Sequence, residues 1–253
     1  MTNLLLLCGF SAIAGFVDAA VGGGGLIQLP AALILLPGVS IPTALGTNKF
    51  ASFFGTSIAV QRYARHVTFD WSTLIPSALS AFAFAFLGSL AVTLLDPDFL
   101  RPLVLALLVV VAAYVFYVKD LGLVHAPKHP PHKARLLGIC LGALLGFYDG
   151  FFGPGTGSFL IFAFVGIFGF DFLSASASAK AINWSTNIAS LIFFVGSGHV
   201  LYRAGLAMAA CNIIGALAGS RMAIAKGSRF VRVFFLVIVC ALIAKLTQTL
   251  LSR

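Results

Sequence analysis

The sequence has no glutamate; its seven acidic residues are all aspartate, set against 16 Lys and Arg. Charged residues make up only 9% of the 253, where a water-soluble domain carries roughly 25%. A soluble fold cannot clothe its surface with so little charge. Catalytic patterns are missing too. HExxH, GxSxG and clustered metal ligands do not occur, which argues against an enzyme and leaves no cofactor or metal to expect. The four cysteines, Cys8, Cys140, Cys211 and Cys240, lie far apart inside apolar stretches. They read as small membrane-buried residues, with neither a metal site nor a disulfide framework. No Lys or Arg precedes the apolar run Leu4 to Leu7, so a cleavable signal is not expected and the first segment is read as part of the mature protein.

What the chain does have is apolar sequence, 60% of its residues. A bilayer span needs about 20 mainly apolar residues, and several such runs are present. The expected fold is therefore an all-α integral membrane protein, a polytopic helical bundle with the lipid bilayer as its partner. The net charge of +9 comes from residues between apolar runs. The positive-inside effect accounts for it, and no basic face with interleaved aromatics suggests nucleic acid.

The chain repeats itself. GFVDAAVGGGG from Gly15 is echoed by GFYDGFFGPGTG from Gly146. The same offset of 131 pairs Asp18 with Asp149, Lys49 with Lys180, Gly88 with Gly219, and Arg101 with Arg232. Two membrane repeats are expected, residues 1–120 and 136–253, joined by a cytoplasmic Pro/His-rich linker, 121–135. Apolar runs are read near Leu4–Leu36, Ala44–Tyr63, Ser72–Leu95 and Leu100–Val118, then Leu136–Phe168, Ala175–Val195, Ala204–Ala223 and Val231–Leu251. If each glycine-broken segment is a hairpin returning to its own side, the second repeat is inverted and most basic loops share one face. That arrangement fits the positive-inside rule better than parallel repeats and is a common transporter plan.

Three sets of residues could carry chemistry. Gly22, Gly23, Gly24 and Gly25, with Gly153, Gly155, Thr156 and Gly157, break two apolar helices and free backbone groups that must be satisfied in protein or a wet cavity. A helix restarting there points N–H groups at mid-membrane, which suits an anion; close helix packing through small residues is the other reading. Lys49, with Ser52 and Thr56 on its face, and Lys180, with Asn183 and Asn187 on its face, could line an anion cavity. Alternatively each Lys snorkels from a helix end, as Lys245 is expected to do. Asp18 and Asp149 could carry a coupling proton, cap the restarting helix, or pair with a buried Lys. His125, His129 and His132 read as a solvated loop, His66-Val67 and His199-Val200 as turns, and the sequon Asn183-Trp184-Ser185 as part of a span. A small anionic substrate is the expected partner.

The same residues resemble the TauE/SafE-type sulfite exporters (TSUP, formerly DUF81), with the closest look to the YfcA-like branch. The resemblance lies in GFVDAAVGGGGLIQLP from Gly15, ALGTNKFASFFGT from Ala44, GFYDGFFGPGTGSF from Gly146, AKAINWSTNIASL from Ala179 and GSRFVR from Gly227. It implies a multi-pass permease of the bacterial inner membrane for small sulfur-containing anions such as sulfite or sulfoacetate. The anion site is read from the residues; the sulfur preference comes from the resemblance alone. The rivals are an anion channel with the same site, a membrane-embedded enzyme, and a non-transporting assembly subunit.

Overall fold

Residues 2–36, 38–94 and 124–251 are described in a computed structural model. Helix α1 (Thr2–Val21) stops at Gly22, and α2 (Gly25–Leu35) starts three residues later. Helix α3 (Ile41–Ala64) begins behind the Ser40 hydroxyl, which accepts the Thr43 N–H, and α4 (Trp71–Ala91) behind the Asp70 carboxylate, which accepts the Ser72 N–H. Such side chains satisfy orphan donors of a first turn. In the second half, α5 (Pro131–Phe151) precedes α6 (Thr156–Ala163), which runs into a π-helical turn, Phe164–Phe168. Helix α7 (Phe172–Gly196) is capped by Asp171, and α8 (Tyr202–Leu251) is broken at Gly227. The linker is shorter than expected: α5 starts at Pro131, because proline is tolerated in a first helical turn where no intrahelical N–H is needed. The two last expected runs share α8, on either side of Gly227. The expected run Leu100–Val118, with Arg101, and the Lys245 side chain lie outside the described residues.

The described residues are helical throughout their regular structure, without strands. Among the described residues, four helices are long and apolar enough to span a bilayer: Asn3–Val21, Trp71–Ala91, Pro131–Phe151 and Tyr202–Val237. Helices α3 and α7, with 24 and 25 residues, are as long but more polar, and they pack on each other. The starts of α2, α3 and α4, at 25, 41 and 71, recur 131 residues later as those of α6, α7 and α8, at 156, 172 and 202.

Side-chain and backbone contacts fix the directions. The Asn3 amide donates to the Leu35 carbonyl (3.2 Å), so α2 folds back along α1 and ends where α1 began. Likewise Ala126 and Lys128, just before α5, bond to Gly169 and Phe168, just after α6. Both glycine-broken segments are therefore hairpins. Helix α8 runs parallel to α1, with Gly215 on Ala12 and Gly219 on Phe16. It also runs parallel to α3, with Leu201 bonded to Thr47 and Gly205 on Phe50. Helix α7 runs against α3: Asn187 bonds Thr56, and Trp184 bonds Ser57. Helix α4 runs with α7, through Ala78–Ser185 and Phe86–Phe193, and also with α5. Thus α1, α3 and α8 point one way and α4, α5 and α7 the other, so the two hairpins enter from opposite ends of the bundle.

Small residues make the closest seams. In α5, Gly138, Gly142, Gly146 and Gly150 recur every fourth residue and face Thr73, Ser77, Ala81 and Ala85 of α4. A Cβ on any of these glycines would strike the facing helix, and such stripes let helices approach closely in a bilayer. Far apart in sequence, Cys8 of α1 and Cys211 of α8 come close across the helix pair, both as free thiols. Arg62, Arg65, Lys133, Arg135, Arg221, Lys226 and Arg229 lie toward one end of the bundle and Arg203 toward the other, given the helix directions above.

Candidate functional site

The two hairpin tips meet in the protein interior. Gly22 has φ +76° and packs on the backbone of Gly157 and Ser158. Only glycine takes both the left-handed backbone and the contact: a Cβ there would overlap the facing chain. Ser158 donates to the Val21 carbonyl and Ser176 to the Ala20 carbonyl, both at 3.4 Å, which ties the end of α1 to the second half.

Around this junction four charged residues pair crosswise. Lys49 Nζ of the first half lies 2.6 Å from Asp149 Oδ2 of the second. Lys180 Nζ of the second lies 2.8 Å from Asp18 Oδ2 of the first. Each lysine thus takes the aspartate of the opposite half. The side chains of Lys49 and Lys180 are 4% and 0% exposed, so neither snorkels: each is held inside by a carboxylate. Capping by the aspartates is likewise not the arrangement found, since no side chain caps α2 or α6. Isolated charges at such depth are strongly disfavoured, and the crossed pairs offset part of that cost for both partners at once.

A small cavity of about 30 Å³ lies between the pairs, room for about two waters. Its wall includes the charged Asp18, Lys49 and Asp149, the polar Ser52, Asn183 and Asn187, and backbone of Gly23, Gly25, Gly153, Gly155 and Gly157. Lys180 reaches its edge, with Nζ 3.3 Å from where a Gly157 Cβ would stand. Four expected residues stand outside the wall, Lys180 among them, held just behind it by Asp18. Gly22 and Gly24 serve close packing, the latter against Ala14 and Asp18, and the buried Thr156 hydroxyl donates to the Gly153 carbonyl (2.7 Å). Asn48 lines the cavity and was missed, because an Asn next to the conspicuous Lys49 falls off its i, i+3, i+7 stripe. Asn183 and Asn187 form a polar ladder: the Asn187 amide donates to Asn183 Oδ1 (3.2 Å) and to Thr56 Oγ1 (3.3 Å).

Three of the other histidines make local contacts. The His66 ring contacts the Arg62 carbonyl and the His199 ring the Ser197 hydroxyl. His125 sits 3.2 Å from Asp171, its ring tilted against Phe170, and no group of metal-ligating side chains occurs among the described residues.

The comparisons with known proteins agree with this architecture. The model of the family "Sulfite exporter TauE/SafE" matches residues 6–246. A "Probable membrane transporter protein ORF9" of Sinorhizobium is 38% identical over 92% of this chain and 88% of its own. A "Probable membrane transporter protein" of Haemophilus influenzae is 32% identical over 96% and 93% of the two chains. "Probable membrane transporter protein YfcA" of Escherichia coli is 32% identical over 92% and 86%. No solved structure matches the chain. A helical bundle with two broken hairpins, matched almost end to end by this model and these relatives, belongs to the TauE/SafE sulfite exporter family of membrane transporters, and is not an enzyme.

Proposed function

We propose that the chain is a permease of the bacterial inner membrane that carries a small anion, sulfite or an organosulfonate such as sulfoacetate, by alternating access. The observation that carries this reading is the crossed Lys–Asp pairing around one small cavity at the two hairpin tips. An anion entering there meets two ammonium groups, the amides of Asn183 and Asn187, and glycine backbone that offers N–H donors without bulk. The two repeats, 1–120 and 136–253, supply the moving parts. Each ion pair bridges the two repeats, so rocking one against the other must exchange those bonds. An anion competing with Asp149 for Lys49, or with Asp18 for Lys180, links occupancy to that exchange. Protonation of either aspartate would free its lysine in the same way, which makes these carboxylates the coupling sites if uptake is driven by protons. The positive-inside rule puts the basic end, with the linker, in the cytoplasm.

The small cavity, with its charges paired, supports a carrier over an open anion channel. The test is flux of radiolabelled sulfite and sulfoacetate into proteoliposomes. The intact protein is compared with the double variant Lys49→Met/Asp149→Leu, which removes one pair without leaving a buried orphan charge. Saturable flux in the intact protein and its loss in a folded double variant are expected. Absence of flux above empty liposomes for every small sulfur oxyanion would remove the substrate assignment, and unitary currents would replace the carrier by a channel.

A further inference from the structure

A second concavity lies at the outer surface of the bundle, far along α8 from its start. Ile214, Leu217, Ala218, Arg221, Met222 and Ala225 line it. Their spacing, i, i+3, i+4, i+7, i+8 and i+11, is one continuous face of α8. The facing wall is Arg62, just before the end of α3. The groove is apolar along Ile214 and Leu217, which are 64% and 38% exposed. It becomes basic at Arg221 and Arg62, toward the end of the bundle where the other cationic residues gather. Its volume of about 630 Å³ falls in the range of ligand pockets.

The two arginines are short of partners. Among the described residues, no ion pair joins a carboxylate to either guanidinium. The Nε of Arg62 is buried and has no hydrogen-bond acceptor. A buried guanidinium N–H without an acceptor is strongly disfavoured, and no carboxylate among the described residues offsets the charge of either arginine. A free inorganic anion would satisfy the arginines and leave the apolar stripe uncovered. A zwitterionic lipid would cover the stripe and leave the excess positive charge. A phosphate carrying an acyl chain and a net negative charge matches both ends, in the manner of basic interhelical pockets that hold anionic head groups.

We propose that this groove binds one anionic phospholipid from the leaflet at the basic end. Its phosphate sits between Arg62 and Arg221, and one acyl chain lies along Leu217 and Ile214. The site is separate from the central cavity and shares no lining residue with it, so it stands whatever the transported anion is.

Native mass spectrometry of the full chain in neutral detergent tests it. Phosphatidylglycerol and phosphatidylcholine are titrated separately. One phosphatidylglycerol is expected to be retained in preference to phosphatidylcholine. In Arg62→Gln/Arg221→Gln, its affinity falls about 30-fold, at about 1 kcal/mol per basic residue. Ala218→Trp keeps both arginines and fills the exposed apolar part of the groove; it should weaken the same binding, and it decides the matter if the arginine variant does not fold. Millimolar inorganic phosphate should leave the bound lipid in place. Equal retention of the two lipids, binding unchanged in a folded variant, or displacement by inorganic phosphate would each overturn the proposal.

Discussion

The two crossed ion pairs occupy corresponding places in the two halves, yet they are not equivalent. Lys49 and Asp149 are both sealed, at 4% and 3% exposure and 2.6 Å apart. Lys180 is sealed, but its partner Asp18 is 20% exposed at 2.8 Å. The offset of 131 reproduces residue type and connectivity and leaves the packing around each pair free to differ. One pair is a closed lock, and the other has one partner within reach of water. A carboxylate near water keeps part of its hydration when its lysine leaves; a sealed carboxylate does not.

The largest effect should come from orphaning a sealed charge. Removing one partner of a buried pair costs about 3–5 kcal/mol. Lys49→Ala, Asp149→Ala and Asp18→Ala each leave a sealed charge alone and should lose stability on that scale. Lys180→Ala leaves only the partly exposed Asp18 and should lose less. Thermal unfolding of the four purified variants in one detergent ranks them. If Lys180→Ala is as damaging as Lys49→Ala, the difference in exposure has no energetic meaning.

The hairpin tips allow a second, smaller comparison between corresponding glycines. Gly22 and Gly153 have φ +76° and +87°. A side chain in that region is strained by about 1–3 kcal/mol at either site. At Gly22 a Cβ would also overlap the Gly157 backbone, whereas at Gly153 its nearest neighbour is the Asp149 carbonyl at 3.1 Å. Gly22→Ala should therefore lower stability more than Gly153→Ala. Gly22→Ala should also reduce the yield of folded protein in fluorescence-detected size exclusion, and equal yields would mean the tips do not need their close contact.

The smallest effects concern the caps of α3 and α7, Ser40 and Asp171, again 131 residues apart. Ser40 makes a long bond to the Thr43 N–H (3.4 Å) and a shorter one with the Thr43 hydroxyl (2.9 Å), both within its own turn. Asp171 accepts from the Leu173 and Ser174 N–H groups and from the Ser174 and Ser228 hydroxyls. It thereby ties α7 to α8 just past the break at Gly227. Burial pushes the Asp171 carboxyl up, but the hydrogen bonds from Ser174, Ser228 and Leu173 outweigh it and hold the group below its ordinary value. A depressed folded pKa contributes stability above the unfolded pKa of about 3.9 and loses it as pH falls through the folded value. Asp171→Ala should cost about 1–2 kcal/mol near neutral pH, and Ser40→Ala about 0.5 kcal/mol. The Asp171→Ala deficit should shrink in unfolding measured below pH 4, while the Ser40→Ala deficit stays level.

Composition and periodicity alone determined that this is a helical membrane protein, because a chain with 9% charge and long apolar runs has no other stable way to satisfy its surface. The offset of 131 was also legible, as were the breaks at Gly22 to Gly25 and Gly153 to Gly157, since a run of glycines weakens an apolar helix wherever it falls. The resemblance that marked the family rested on those same stretches. The tertiary structure alone decided who pairs with whom. Asp18 lies 31 residues from Lys49 in the sequence, yet it bonds Lys180, 162 residues away, because the hairpins enter from opposite ends and bring each tip to the lysine of the other half. Spacing along one helix cannot report that, nor can it separate Gly23, which lines the cavity, from Gly22, which packs beside it. Local pattern is set by residues close in the chain, whereas pairing is set by how whole helices cross, and that depends on packing over the entire bundle.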